Sequence, residues 1–363
     1  MHKENISDRQ GISIIILFMG GSTFALGTGA GAKQDIWLSI IIALIFSFLA
    51  ILIFGRLLSY YPKKNIFETI QNIFGDTIGK GICLLYIWYF FHLASLVLRH
   101  FAEFTTKLGL NRTPDILIKI LFMTLIVWIV KEGIEVLGRW VSIFVLVLIG
   151  IEVISIYLKI PVMNISNLKP FLSNGLKPII KSSFSTFTFP FAETIVFMSL
   201  FDSLKSRSSC YKVYILGLLL GGIAVFAAAV SEMMVLGQYS YSTSYFPTYA
   251  TVARIEVGNI ERIEAVVAMA LLIGGFVKIS VCLLACCKGL SSIFNFSDYK
   301  FIVTPIGFLS IILSTIIFES TMEMTEWTFN TYNYYAFPFQ VILPIIMLIA
   351  VEIKNRQIKN VKE

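Results

Sequence analysis

The sequence predicts an all-α membrane protein: ten transmembrane helices in two inverted halves of five, with helices one and six broken. Three observations predict it. Hydrophobic residues make up 57% of the chain and charged residues only 14%, which excludes a soluble globule. Ten apolar segments approach the roughly 20 residues needed to cross about 30 Å of hydrocarbon. Two of these, five segments apart, carry helix-breaking residues at mid-span: Gly20-Gly21-Ser22-Thr23 and Thr188-Phe189-Pro190-Phe191-Ala192-Glu193. A membrane helix satisfies its own backbone, so it is interrupted only where freed amides and carbonyls face a cavity or other protein. Breaks at matching places in two halves point to a mid-membrane binding site of the transporter type.

The expected spans run over 11–30, 37–58, 81–106, 116–131, 138–160, 183–203, 211–236, 263–290, 301–319 and 333–353. They form one polytopic domain over 1–363, with halves at about 9–160 and 183–353 joined by an outside loop, 161–182, that holds Pro161, Pro170, Gly175 and Pro178. The first apolar run has full span length and no small-residue cleavage site, so it reads as a helix and not as a signal peptide.

With both termini on the cytoplasmic side, the majority of the 29 Lys and Arg residues lie inside, in agreement with the positive-inside rule. Lys119, Lys159, Lys169 and Lys177 are then counted among the outside residues. The net charge of +7 is a topology signal and implies no nucleic-acid partner. The five cysteines, Cys83, Cys210, Cys282, Cys286 and Cys287, sit in spans or at a cytoplasmic edge and suit packing better than a disulfide framework.

Between spans two and three, Ile66, Phe67, Ile70, Ile73 and Phe74 follow helical spacing and predict an amphipathic helix on the cytoplasmic face. The second long outside segment, 237–262, carries interfacial tyrosines, and Thr251 to Asn259 is expected to form a short lid helix.

The candidate binding residues cluster at the breaks. In the first, Gly20 and Gly21 permit departure from helical geometry, a following half-helix offers free amides at a positive dipole end suited to a carboxylate, and Ser22 and Thr23 add hydroxyls. The same small residues also serve close helix packing. In the second, Phe189 and Pro190 precede Glu193, an ionisable residue inside the membrane. Its roles are to bind a substrate ammonium, to accept a proton, or to hold a structural hydrogen bond.

Span three carries His92, Ser95, Arg99, Glu103 and Thr106 on one helical face. Arg99 and Glu103 neutralise each other, either as a structural lock or as part of a ligand or proton path. Lys278 lies in span eight just after Gly274-Gly275. Its amine can replace a sodium ion beside span one, carry a proton when burial lowers its pKa, or snorkel to water. Arg99, Glu103 and Lys278 thus form the expected charge network. No nucleophilic triad, metal-ligand pattern or phosphate loop appears, so neither an enzyme nor a metal or cofactor site is expected.

Several short motifs, taken in order, resemble the B subunits of spore germinant receptors, of the amino acid–polyamine–organocation superfamily. They are Gln10-Gly11-Ile12-Ser13, Gln34-Asp35-Ile36-Trp37-Leu38-Ser39, Tyr61-Pro62, Arg112-Thr113-Pro114, Gly133-Ile134-Glu135-Val136-Leu137-Gly138-Arg139, Asn167-Leu168-Lys169-Pro170, Phe189-Pro190-Phe191-Ala192-Glu193, Phe276-Val277-Lys278-Ile279-Ser280 and Val341-Ile342-Leu343-Pro344. The resemblance spans essentially the whole chain. It implies ten core helices, a receptor for a small amino-acid-like nutrient in the spore inner membrane, and separately encoded A and C subunits as partners. Leu26-Gly27-Thr28-Gly29 stands where the family commonly has a proline soon after the first break, and Ser22 and Thr23 where it has Ala and Gly. An ordinary proton-coupled amino-acid transporter of the same fold is the alternative.

Overall fold

The computed structural model describes residues 4–204, 207–255 and 263–360. The predicted lid helix at 251–259 falls partly outside them; within its described part, α8 (Pro247–Val252) ends at Val252 and the chain turns at Ala253 and Arg254. The other helices are α1 (Asp8–Leu26), α2 (Ile36–Tyr60), α3 (Ile66–Leu108), α4 (Asp115–Glu132), α5 (Ile134–Lys159), α6 (Leu176–Thr186), α7 (Arg207–Thr243), α9 (Ile263–Phe294), α10 (Lys300–Ile316), α11 (Thr321–Glu326), α12 (Tyr332–Phe337) and α13 (Leu343–Asn360). Among the described residues there is no sheet, only a bridge between Ile6 and Leu204.

Among the described residues, six helical stretches are long and apolar enough to cross a membrane: Ala30–Tyr60, Ile66–Lys107, Ile134–Val162, Ser209–Thr243, Ala265–Phe294 and Thr321–Asn355. The other four expected spans correspond to α1, α4, α10 and the interrupted stretch from α6 to Ser203, which are shorter, more charged or broken. Ten spans and an inverted repeat are therefore more than these helices establish by length and apolarity. Exposed Leu, Ile, Phe and Trp side chains, such as Ile45, Phe46, Trp128, Ile143 and Phe308, cover the outside of α2, α4, α5 and α10. That outward apolar face is the lipid-exposed pattern of a membrane bundle.

The amphipathic helix is present as the first turns of α3. It starts at a capping box in which Asn65 and Glu68 satisfy each other's backbone amides. It ends at Gly75, whose φ of +77° separates it from the long span that follows.

The expectation for helix one needs correction. α1 runs as an unbroken α-helix through Gly20, Gly21, Ser22 and Thr23, and the chain leaves it only at Gly27 (φ +71°). The small residues serve packing instead. A Cβ on Gly21 would sit 2.3 Å from the Gly274 carbonyl oxygen, and one on Gly274 would sit 2.6 Å from Gly21 Cα. Backbone thus meets backbone along an α1–α9 seam, which allows no side chain at those positions.

The count of outside lysines also changes. Lys119 and Lys159 are fully buried in α4 and α5, so neither is a loop charge. After α1, residues 30–35 form a 3-10 turn docked on the connecting loop. Asp35 accepts the Leu172 amide on both oxygens (3.0 and 3.2 Å), Gln34 donates to Pro170 O and Ser173 Oγ, and Ser182 Oγ donates to Gly29 O.

Candidate ligand site at the helix-six break

The sixth helix breaks for a reason local to its sequence. Pro190 has no amide to donate, and its ring clashes with the preceding turn. Phe189 leaves helical geometry (φ −136°, ψ 110°), and the chain then tightens into a 3-10 helix over Ala192–Ser199. The Thr188 carbonyl is taken up by a side chain, accepting from Gln340 Nε2 at 2.9 Å.

Glu193 follows the break and is fully buried. Lys278, from α9, donates to Glu193 Oε2 at 2.5 Å, and both side chains are 0% exposed. Tyr332 donates its hydroxyl to Glu193 Oε1. The Tyr332 and Tyr89 hydroxyls lie 3.2 Å apart, and Gln340 Nε2 donates to Tyr89 Oη at 2.8 Å. Thr188 Oγ1 donates to Asn333 Oδ1 at 2.8 Å, closing the network on the break itself. The Lys278 ammonium also lies 5.0 Å from the centroid of the Phe18 ring and 4.9 Å from that of Phe189, so two aromatic faces help replace its lost hydration.

Two features of the last long helix make this possible. It widens into π-turns at Trp327–Thr331 and Pro338–Ile342, a distortion common at functional positions. The first lies just before Tyr332 and Asn333; the second contains Gln340. Beside the pair is a cavity of about 20 Å³ whose lining includes Ser22, His100, Phe189, Glu193, Trp327 and Tyr332. That is room for about one water molecule. Ser22 Oγ is buried there with no hydrogen-bond partner.

The predicted residues divide on this geometry. Ser22, Phe189 and Glu193 line this cavity, whereas Gly20 and Gly21 line another against α5 and α9. Thr23 Oγ1 donates back to Met19 O at 2.7 Å, so its proton is used inside α1. Lys278 joins Glu193 and not the expected partners Arg99 and Glu103. Those two pair with each other at 2.8 Å; Arg99 also reaches Asp115 (3.4 Å), which holds Lys119 at 2.7 Å. Lys119 in turn donates to Ser314 O and Thr315 Oγ1, so this second network ties α3, α4 and α10 together. His92 is stacked on Trp88 and packed edge-on against Trp327 and Tyr335. Among the described residues no cluster of three or more His, Cys, Asp or Glu is arranged to hold a metal ion.

Residues 5–322 match the family model described as spore germination protein, the spore permease family. The chain belongs to that family. Among its relatives, spore germination protein KB of Bacillus subtilis (strain 168) is 29% identical over 99% of this chain and 98% of that protein. Spore germination protein A2 of the same organism is 26% identical over 96% of this chain and 95% of its own length. Among solved structures, MhsT in complex with L-phenylalanine superposes with a TM-score of 0.67 at 14% identity, covering 97% of this chain and 99% of that one. Mhp1, a nucleobase-cation-symport-1 family transporter in a closed conformation with bromovinylhydantoin bound, gives 0.67 at 14%, covering 95% and 78%. At that identity the likeness shows a shared fold, that of membrane transporters.

In this spore germination protein the sequence reading found the proline break, Glu193 and Lys278 but not their partners. Tyr89, Tyr332, Asn333 and Gln340 were missed because single hydroxyl or amide groups in aromatic, apolar runs look like ordinary packing. The available signal was Gln340, an amide in mid-span with no polar neighbour in sequence, which must find a partner across the bundle.

Proposed function

We propose that this chain is the germinant-sensing membrane subunit of a spore nutrient receptor. It binds a small amino-acid-like nutrient at the helix-six break and passes the resulting change to A and C subunits. It would reside in the spore inner membrane with both termini cytoplasmic. The observation that carries this reading is the buried Lys278–Glu193 pair beside an aromatic-lined cavity.

A zwitterion is matched to such a pair. Its ammonium takes the place of Lys278 on Glu193, and its carboxylate takes the place of Glu193 on Lys278, so no net charge enters the membrane. The cavity holds about one water, so entry must part the two side chains. Binding energy is therefore coupled to a change of conformation, as a two-state receptor needs. The aromatic walls of Phe189, Trp327 and Tyr332 suit an apolar side chain, and MhsT, of the same fold, holds L-phenylalanine. Arg99 and Glu103 would act as a structural lock.

The alternative is a proton-coupled amino-acid transporter, favoured by the place of the buried Lys278 ammonium against Phe18 of α1. The test uses the full-length protein in liposomes with labelled amino acids, with and without an imposed pH gradient. Saturable binding without accumulation, weakened at least tenfold in Glu193→Gln, is the expected result. Gradient-driven accumulation that Lys278→Met abolishes would overturn the receptor reading in favour of the transporter. No binding by the wild type would remove the ligand site altogether.

A further inference from the structure

Apart from Asp35, held by the Leu172 amide, the carboxylates and cations inside the bundle sort into three clusters. Lys278 faces Glu193 one to one. Arg99 and Lys119 face Glu103 and Asp115, with the more exposed Lys107 also reaching Glu103, so no carboxylate there lacks a cation. In the third, carboxyl groups outnumber cations. Glu232 on α7 accepts from Thr248, which lines the same cavity as Glu152 on α5, and Lys159 on α5 reaches Ser231, the residue before Glu232, so two carboxyl groups stand near one ammonium.

The geometry shows that the third cluster is not an ion-pair network. Thr248 Oγ1 donates to Glu232 Oε1 at 2.6 Å, and Glu232 is buried. Lys159 Nζ donates to Ser231 Oγ at 3.5 Å and comes within salt-bridge distance of no carboxylate among the described residues. Glu152 Oε1 is buried with no hydrogen-bond partner. It lines a cavity of about 20 Å³ walled by Leu17, Leu148, Ile151 and Leu271, against the glycine seam of α1 and α9. Among the described lining residues only Glu152 and Thr248 carry polar side chains. The described side chains of α1 and α9 present no ionisable group to the cavity, Asp115 and Lys119 of α4 are paired with each other, and Tyr241 beside Glu232 exchanges hydrogen bonds with the backbone of Thr28.

We propose that Glu152 and Glu232 together hold one exchangeable proton, a second ligand site separate from the helix-six break. An uncompensated carboxylate inside the membrane is strongly disfavoured, and two carboxyl groups near one ammonium reach neutrality by taking up a single proton between them. A metal cation is poorly served there, because the wall is apolar and offers few oxygens, whereas cations of this kind take six or more. Loss of the proton leaves a net negative charge beside the seam, where the lining from α1 and α9 offers no polar side chain to solvate it. The site therefore links proton occupancy to the packing of those two helices, and it holds whether or not a nutrient binds at Glu193.

The test is infrared difference spectroscopy of the full-length protein in liposomes, reading the C=O stretch of buried protonated carboxyl groups at neutral pH. The wild type should show such a band. Glu152→Gln and Glu232→Gln should each lose it, since the remaining carboxylate is balanced by Lys159. Lys159→Met should raise it about twofold, because both carboxyl groups must then be neutral. Glu193→Gln should leave it unchanged. No buried carboxyl band in the wild type, or a band that both glutamine variants retain, would overturn the proposal even if the Lys159 variant fails to fold. A wild-type band displaced by sodium at fixed pH would overturn it too, in favour of a metal cation.

Discussion

Gly20-Gly21 and Phe189-Pro190 look alike as text, two helix breakers in the middle of apolar spans, but they do opposite things. The glycines lie in a continuous helix, and their missing side chains let α1 touch the backbone of α9 at Gly274. The proline interrupts its helix and hands a carbonyl to Gln340. The difference is physical: glycine permits a break without demanding one, and close packing can recover its entropic cost. Proline removes a donor and creates a clash, so the helix must yield. A glycine pair in a membrane span is thus as much a packing signal as a binding signal. A proline followed by an acidic residue is much harder to absorb into packing.

The largest effect should come from the broken region. Glu193→Gln or Lys278→Met alone leaves one buried charge without its partner, an expected loss of about 3–5 kcal/mol. Thermal unfolding in detergent checks it, and the double variant should recover most of the loss. Equal stability in both single variants would mean that water already reaches the pair.

The seam should respond next. Gly21→Ala places a Cβ against the Gly274 carbonyl, so overpacking should cost about 1–3 kcal/mol and lower the amount of folded protein in the membrane. An alanine variant of wild-type stability would show that α1 yields there, and would reopen the case for a flexible helix one.

Gln340→Leu tests what holds the break open, since it strips a partner from the buried Thr188 carbonyl. The expected cost is about 1–3 kcal/mol, with a weaker response to ligand at a given concentration. The smallest change belongs to Thr23→Val, within about 0.5 kcal/mol, because that hydroxyl bonds only within its own helix. A large effect on ligand response at Thr23, with none at Ser22→Ala, would reverse their assignments.

Much of the fold could be read in advance because hydrophobic length and turn residues are local properties. The amphipathic start of α3, the connecting loop and the interruption before Glu193 all follow from short stretches of chain. The Arg99–Glu103 pair was readable too, since one helical turn joins them. Contacts between distant spans were not. Lys278 and Glu193 were expected beside one cavity, but not as a pair bonded directly to each other across 85 positions. Glu152 and Glu232 went unnoticed because each stands alone among largely apolar neighbours, and Lys159 was taken for an outside charge because it adjoins a predicted loop. π-turns leave no periodic signature, so the residues they redirect could not be placed.

The docking of residues 30–35 on the connecting loop has one more mechanical consequence. Ser182 Oγ donates to Gly29 O and accepts from Ser39 Oγ, while Asp35 accepts the Leu172 amide. The far end of helix one and the beginning of α6 are therefore pinned at a common pivot, a few turns from the interruption at Pro190. Parting Lys278 from Glu193 cannot slide these two elements past each other at that end. With Ile6 N donating to Ser203 O at the other end, the two elements are tied at both ends, so any opening between Lys278 and Glu193 must be taken up by the stretch between the two ties, as a bow bends between its nocks.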